Sequence, residues 1–246
     1  MLDATKRYAS LPSFYRLCGR LFAWLLPATV ALFAAGLVWG LYLAPADYKQ
    51  GEAYRIMFIH VPSAWMSLLV YMVMAAAGAV ALVWRVKLAE LIHIECAPVG
   101  ASFTALTLAT GMLWGKPMWG AFWVWDARLT SELILLFLYL GVIALYAAIP
   151  DRRKAARATA VLAIVGVVNI PVIHYSVIWW NTLHQGPTVT RLDAPAAHIS
   201  ILAPLLFMAV VFKLYFITVL LARLRGSIAE QCRAQQWFRD EAAGRA

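Results

Sequence analysis

An all-α polytopic membrane protein with six transmembrane helices is the fold class this sequence predicts, on three observations. Hydrophobic residues make up 63% of the chain and charged residues 13%, a balance far from that of a soluble domain. Apolar runs near the roughly 20 residues that a spanning helix needs recur along the chain. Basic residues outside those runs alternate between rich and poor connections.

The spans are expected at about 21–43, 62–84, 96–113, 129–149, 158–180 and 199–221. Lys6, Arg7, Arg16 and Arg20 precede the first, whose apolar core is longer than a cleaved signal peptide's. It is read as an uncleaved first span. The connections at 85–95 and 151–154 are short and basic, so the helices they join should pack as antiparallel hairpins. The longer connections lie on the other side, at about 44–61, at 114–128 and at about 181–198. They hold the unusual chemistry.

Fifteen Lys and Arg fall in the N-terminal arm, the 85–95 and 150–157 connections and the C-terminal tail. The other three connections hold five: Lys49, Arg55, Lys116, Arg128 and Arg191. This is the positive-inside pattern, which places both the N and the C terminus in the cytoplasm. The net charge of +9 is therefore mostly topology, and no nucleic-acid partner is expected. Residues 1–222 read as one six-span membrane domain and 223–246 as a cytoplasmic tail, whose Trp237 and Phe238 suit a membrane surface or a partner. Cys18, Cys96 and Cys232 form no CxxC or metal spacing, so no disulfide framework or thiol centre is indicated.

The most distinctive segment runs from Trp114 to Arg128, with Trp114, Trp119, Trp123 and Trp125 set among Gly115, Lys116, Gly120 and Phe122. Indoles offer large flat contact area with few torsions to freeze. Trp119 and Trp123 stand at i, i+4, a spacing that would put them on one helical face, while Gly115 and Gly120 open room for close approach. Trp24, Trp39, Trp65, Trp84, Trp179 and Trp180 need no function of their own, and most are assigned to the aromatic belt that lines bilayer interfaces.

His60, at the start of the second span, and His184, beyond the fifth, fall on the same side as this segment. Neutral imidazole is a common transition-metal ligand, and two such groups from different connections suit a clamp on one metal. His174 lies inside the fifth span and is expected to face the bundle interior. His198 opens the sixth span, and His93 is on the opposite side. Arg128, with Arg55 or Lys116, suits recognition of ligand carboxylates. Asp126 is read either as a partner of Arg128 or as an acceptor for an indole or imidazole N–H. Glu132 is costly in a span unless paired, and Arg128 at i−4 is the expected partner. A flat aromatic shelf, two metal ligands and arginines together fit a planar metal macrocycle bearing carboxylates. Haem, taken as haem b, is the ligand expected to fit.

The run Trp119-Gly120-x-x-Trp123-x-Trp125-Asp126-x-Arg128-Leu129-Thr130, after Trp114-Gly115, resembles the signature of the tryptophan-rich (WWD) haem-handling family of cytochrome c maturation. Length, six spans and two outer histidines make the chain most similar to its small, CcmC-type members. The resemblance implies that His60 and His184 are axial haem ligands. It also implies that the block with Trp114, Gly115, Trp119, Gly120, Trp123, Trp125, Asp126 and Arg128 lies beneath the haem; Arg128 with Arg55 is read as the holder of the propionates. It further implies a site on the periplasmic face of the bacterial inner membrane and delivery of haem to the periplasmic chaperone CcmE, whose histidine bonds covalently to a haem vinyl group. The implied partners are CcmD and the ABC-type complex of CcmA with CcmB.

No Walker A, GxSxG or HExxH motif is present, so ATPase or hydrolase chemistry is not expected of this chain. Two alternatives come from other classes. A b-type membrane cytochrome would favour histidines within helices and haems at two depths. A small-solute permease would spread polar groups through several spans, whereas the spans here offer only Asn169, His174, Glu132 and Lys213.

Overall fold

A computed structural model describes residues 10–180, 184 and 198–245, and among these it is helical with no strand. The first span is α1 (Leu11–Val38), continued by a π-helical turn, Trp39–Leu43. A short 3₁₀ turn, Glu52–Ile56, leads into α2 (Met57–Trp84), and Arg85 and Val86 alone separate it from α3 (Lys87–Trp119). Next come α4 (Ala127–Ala148), α5 (Arg152–Gly166) and α6 (Asn169–Trp179), the last two forming one span with a break at Val167–Val168. The chain then forms α7 (Ile199–Cys232) and a terminal α8 (Gln236–Ala242). Among the described residues six segments are long and apolar enough to cross a bilayer.

Three boundaries differ from the sequence expectation. The 85–95 connection is two residues long, because Glu90, His93 and Glu95 are accommodated on α3. Lys87 pairs with Glu90 at 2.6 Å. Glu95 is held by Arg223 at 2.8 Å and accepts a hydrogen bond from Ser227. His93 is fully buried, with Nδ1 3.0 Å from the Met74 carbonyl and Nε2 3.1 Å from Thr159 Oγ1. At the other end α3 continues to Trp119, absorbing the first six residues of the expected tryptophan loop. The tail does not stand apart: α7 runs unbroken to Cys232, and Trp237 and Phe238 pack edge-on against Tyr15.

α2 and α3 form the central hairpin, α1 lies along α7, α4 packs on α3, and α5 packs on α2 and α4. Between α2, α3, α4 and α7 sit Phe58, Met66, Tyr71, Met74, Leu135, Tyr139, Met208 and Phe212, all at most 1% exposed. In lipid the hydrophobic effect gives little drive for helix association, so small residues and interhelical hydrogen bonds carry it. The Tyr139 ring occupies the space over Gly100, where a Cβ would stand 2.1 Å from Cζ. Tyr139 Oη donates to the Ser67 carbonyl at 2.8 Å, and Thr29 and Thr218 share a buried hydrogen bond of 2.9 Å between α1 and α7.

His174 departs from its expected inward position. It is exposed on α6, edge-on to Tyr175 at 4.8 Å, because the break at Val167–Val168 starts a new helix whose buried residues are Ile173 and Ser176. His198 is the N-cap of α7, its Nδ1 accepting from the Ser200 N–H at 3.3 Å.

Candidate functional site

His60 stands one turn inside α2, not on a loop, because the helix begins at Met57 behind the 3₁₀ turn. Its ring is buried at 8% exposure. Gly111 of α3 leaves room for it, since a Cβ there would lie 3.1 Å from His60 Cε1. His60 Nδ1 is 3.0 Å from Thr110 Oγ1, and that hydroxyl donates to the Leu106 carbonyl at 2.6 Å. With its proton committed, Thr110 Oγ1 accepts from Nδ1–H. That selects the tautomer whose Nε2 carries a free lone pair. Trp114 lies edge-on to the imidazole at 5.6 Å, its Nε1 donating to Gln50 Oε1 at 3.1 Å.

His184 comes from beyond α6 to meet this ring. The two imidazole centroids are 6.4 Å apart with planes 36° from parallel, and Trp119 lies 5.3 Å from His184. His184 Nδ1 is buried and has no hydrogen-bond partner among the described residues. Burial, reinforced by the positive charge of Arg128, pushes the His184 pKa down to about 4. The imidazole is therefore neutral and able to bind a metal near neutral pH.

The tryptophan segment divides at Gly120. That residue has φ +79° and ends α3, its N–H donating to the Lys116 carbonyl while Lys116 Nζ donates to the Gly120 carbonyl at 3.0 Å. Trp119 and Trp123 consequently do not share a helical face. Trp119 turns to His184, and Trp123 packs edge-on against Trp125 at 5.3 Å. Gly115 does provide the expected close approach, its missing Cβ leaving 3.1 Å to the Trp119 ring. Trp125 is 75% exposed.

Asp126 neither pairs with Arg128 nor reaches an indole. It is the N-cap of α4, its Oδ1 accepting from the Leu129 N–H at 2.8 Å. Its Oδ2 is buried without a partner, as is Trp123 Nε1. The expected Arg128–Glu132 ion pair does not form either, because buried Glu132 accepts from Ser67 Oγ at 2.7 Å instead. Arg128 forms no ion pair with any described residue. Arg55 is ion-paired with Glu52 and donates to the Gly40 carbonyl in the π-turn at 3.3 Å. Thr110 and Gln50, which set the positions of His60 and Trp114, were not singled out from the sequence. Asn181, Gln185, Gly186, Pro187, Arg191 and Asp193 lie outside the described residues.

Two imidazoles bound to one metal at about 2 Å place their ring centres roughly 6.3 Å apart. The observed separation matches that span. Among the described residues no group of three or more His, Cys, Asp or Glu gathers to complete a protein-only metal site. Two imidazoles suit a metal whose other positions are filled by its own macrocycle. An unpaired buried polar group costs about 1–3 kcal/mol, and three of the four such atoms among the described residues (His184 Nδ1, Trp123 Nε1 and Asp126 Oδ2) belong to this end of the bundle. His60 lies within a helix, as it would in a b-type membrane cytochrome. That both rings lie at one depth still distinguishes the pair.

The family profile described as Heme exporter protein C matches residues 4–239. The chain belongs to the heme exporter protein C family. Heme exporter protein C of Haemophilus influenzae is 49% identical over 232 residues, covering 94% of each chain. That of Escherichia coli K12 is 50% identical over 226 residues, 92% of this chain and 91% of its own. A putative cytochrome c biosynthesis ccmC-like mitochondrial protein of Marchantia polymorpha is 42% identical over 208 residues, 84% and 87% of the two chains. Membership of the heme exporter protein C family thus extends over the six spans and both histidines.

Proposed function

We propose that this chain binds haem b at the periplasmic face of the bacterial inner membrane and delivers it to the haem chaperone CcmE during c-type cytochrome maturation. The names of its relatives, heme exporter protein C and a cytochrome c biosynthesis protein, support haem export as the process. The observation that carries the reading is the His60–His184 pair, 6.4 Å apart, with Nε2 of one ring left free by Thr110.

In this reading His60 and His184 are the two residues that would hold the haem iron. Trp114 and Trp119, each packed on one of the imidazoles, line the pocket, and Trp123 and Trp125 form its rim with Gly115 and Gly120 allowing the fold. Arg128, charged and without an ion pair among the described residues, receives a propionate, and Arg55 is the second basic group of this rim. Asp126 fixes the start of α4 and so the place of Arg128. Haem is presented as cargo, and bond formation belongs to the partner's histidine. CcmD and the CcmA–CcmB complex are the other proposed partners.

Co-expression with a tagged periplasmic chaperone tests this. The chaperone should carry covalent haem with the intact chain and lack it when Trp114, Trp119, Trp123 and Trp125 are all alanine. Equal haem on the chaperone in both cases would contradict the proposal.

A further inference from the structure

At the end of the bundle opposite the histidine pair, Tyr15, Arg16, Gly19 and Arg20 of α1 face Arg225 of α7 and Glu241 of α8 across a cavity of about 530 Å³. Arg16 is tied to Glu241 at 2.7 Å. Arg20 and Arg225 form no ion pair with any described residue. Arg225 reaches across to α1, its guanidinium 4.9 Å from the Tyr15 ring centroid. Gly19 gives it passage, because a Cβ there would stand 3.1 Å from Arg225 Cζ.

A second cavity of about 300 Å³ adjoins the first through Tyr15 and Arg225. Phe22, Ala222, Gly226 and Ala229 wall it, so it is apolar where the first is cationic. The junction lies where α1 passes from Arg16 and Arg20 into the apolar run that begins at Leu21. That is the level of phospholipid headgroups, and basic pockets between spanning helices at this level bind anionic heads. A soluble phosphate would use only the first cavity. An amphiphile uses both.

We propose that Arg20 and Arg225 clasp the phosphodiester of an anionic glycerophospholipid, with an acyl chain along Phe22 and Ala222, as a structural lipid joining the first and last spans. The site is independent of the haem reading.

Native mass spectrometry of the full chain, released from detergent after addition of phosphatidylglycerol or phosphatidylcholine, tests it. The intact chain should retain phosphatidylglycerol in preference to phosphatidylcholine. Arg20→Gln with Arg225→Gln should bind phosphatidylglycerol about 30-fold more weakly, at roughly a kcal/mol for each lost charge near the surface. Arg152→Gln with Arg153→Gln, which removes two charges elsewhere, should leave retention unchanged. Unchanged far-ultraviolet circular dichroism and gel-filtration elution in the first variant would show that the bundle is folded, and Arg20→Lys with Arg225→Lys would recover part of the binding if it is not. Equal retention by wild type and the first variant, equal loss in the 152/153 variant, or displacement of the lipid by inorganic phosphate or an acidic peptide would overturn the proposal.

Discussion

Thr110 shows how much one hydroxyl decides. By giving its own proton to the Leu106 carbonyl it can only accept from His60, which leaves Nε2 of the imidazole free. Partners of this kind typically change metal affinity by 10–100-fold. Thr110→Val should therefore weaken haem binding about ten-fold and alter the pH dependence of the haem spectrum, while Thr110→Ser should restore both; an unaltered titration in the valine variant would argue against the role. His184 makes a second prediction. Its pKa of about 4 lies below the ordinary 6.5, so between those values the unfolded chain takes up a proton that the folded chain refuses. Stability should then fall as pH falls through this window and be unaffected above it. Arg128→Gln removes a repelling charge, so NMR titration of the haem-free protein should show the His184 midpoint higher than in wild type. A midpoint of 6.5 in the wild type would refute the burial. The two histidines were legible in the sequence because imidazoles beside a tryptophan cluster on one side of a membrane are uncommon. Thr110 was not, because a threonine inside Leu-Thr-Leu-Ala-Thr looks like any other apolar-run residue that bonds back to its own helix.

Helix ends govern what the elements can do. Gly120 and Asp126 stop α3 and start α4, and five residues separate them. Asp126→Ala should destabilise the protein by about 0.5–2 kcal/mol, with Asp126→Asn close to wild type, read as thermal midpoints. Equal loss in both would mean that the carboxylate charge, not the cap, matters. The close contacts between helices make another contrast. Gly100→Ala would thrust a methyl into Tyr139 and should cost about 1–3 kcal/mol, whereas Gly141→Ala, whose Cβ would sit 3.5 Å from Leu162, should be neutral or stabilising. Equal midpoints for the two would remove the packing argument. The number of spans was readable from apolar length, but not their true ends. Glu90, His93 and Glu95 disguised the start of α3: Glu90 is paired within the helix by Lys87, while the partners of His93 and Glu95 lie on α2, α5 and α7, and Gly115 and Pro117 disguised its end. The i, i+4 spacing of Trp119 and Trp123 misled for the same reason: it assumes that the helix survives Gly120.

At the scale of the molecule, the bundle has a cationic end, where α1, α7 and α8 meet, and an aromatic end, where two imidazoles converge. The proposed orientation places the second outside. Tyr48→Cys, at a residue 88% exposed between α1 and α2, should react with an impermeant maleimide in spheroplasts, against a low background because Cys18, Cys96 and Cys232 are buried. Arg233→Cys should react only after lysis; the reverse pattern would invert the topology. Fold class and the placing of both histidines at one end of the bundle were legible from hydropathy. The docking of α8 on α1 was not, since Trp237 and Phe238 suited a membrane or a partner equally well until Tyr15 was placed beside them. The central claim is that His60 and His184 share one iron. Electron paramagnetic resonance of the purified ferric protein tests it most directly. An iron shared by the two imidazoles gives a low-spin, bis-histidine signal that becomes high-spin in either His60→Gly or His184→Gly and returns to low-spin on adding imidazole. A low-spin signal that survives either substitution unaltered would contradict it.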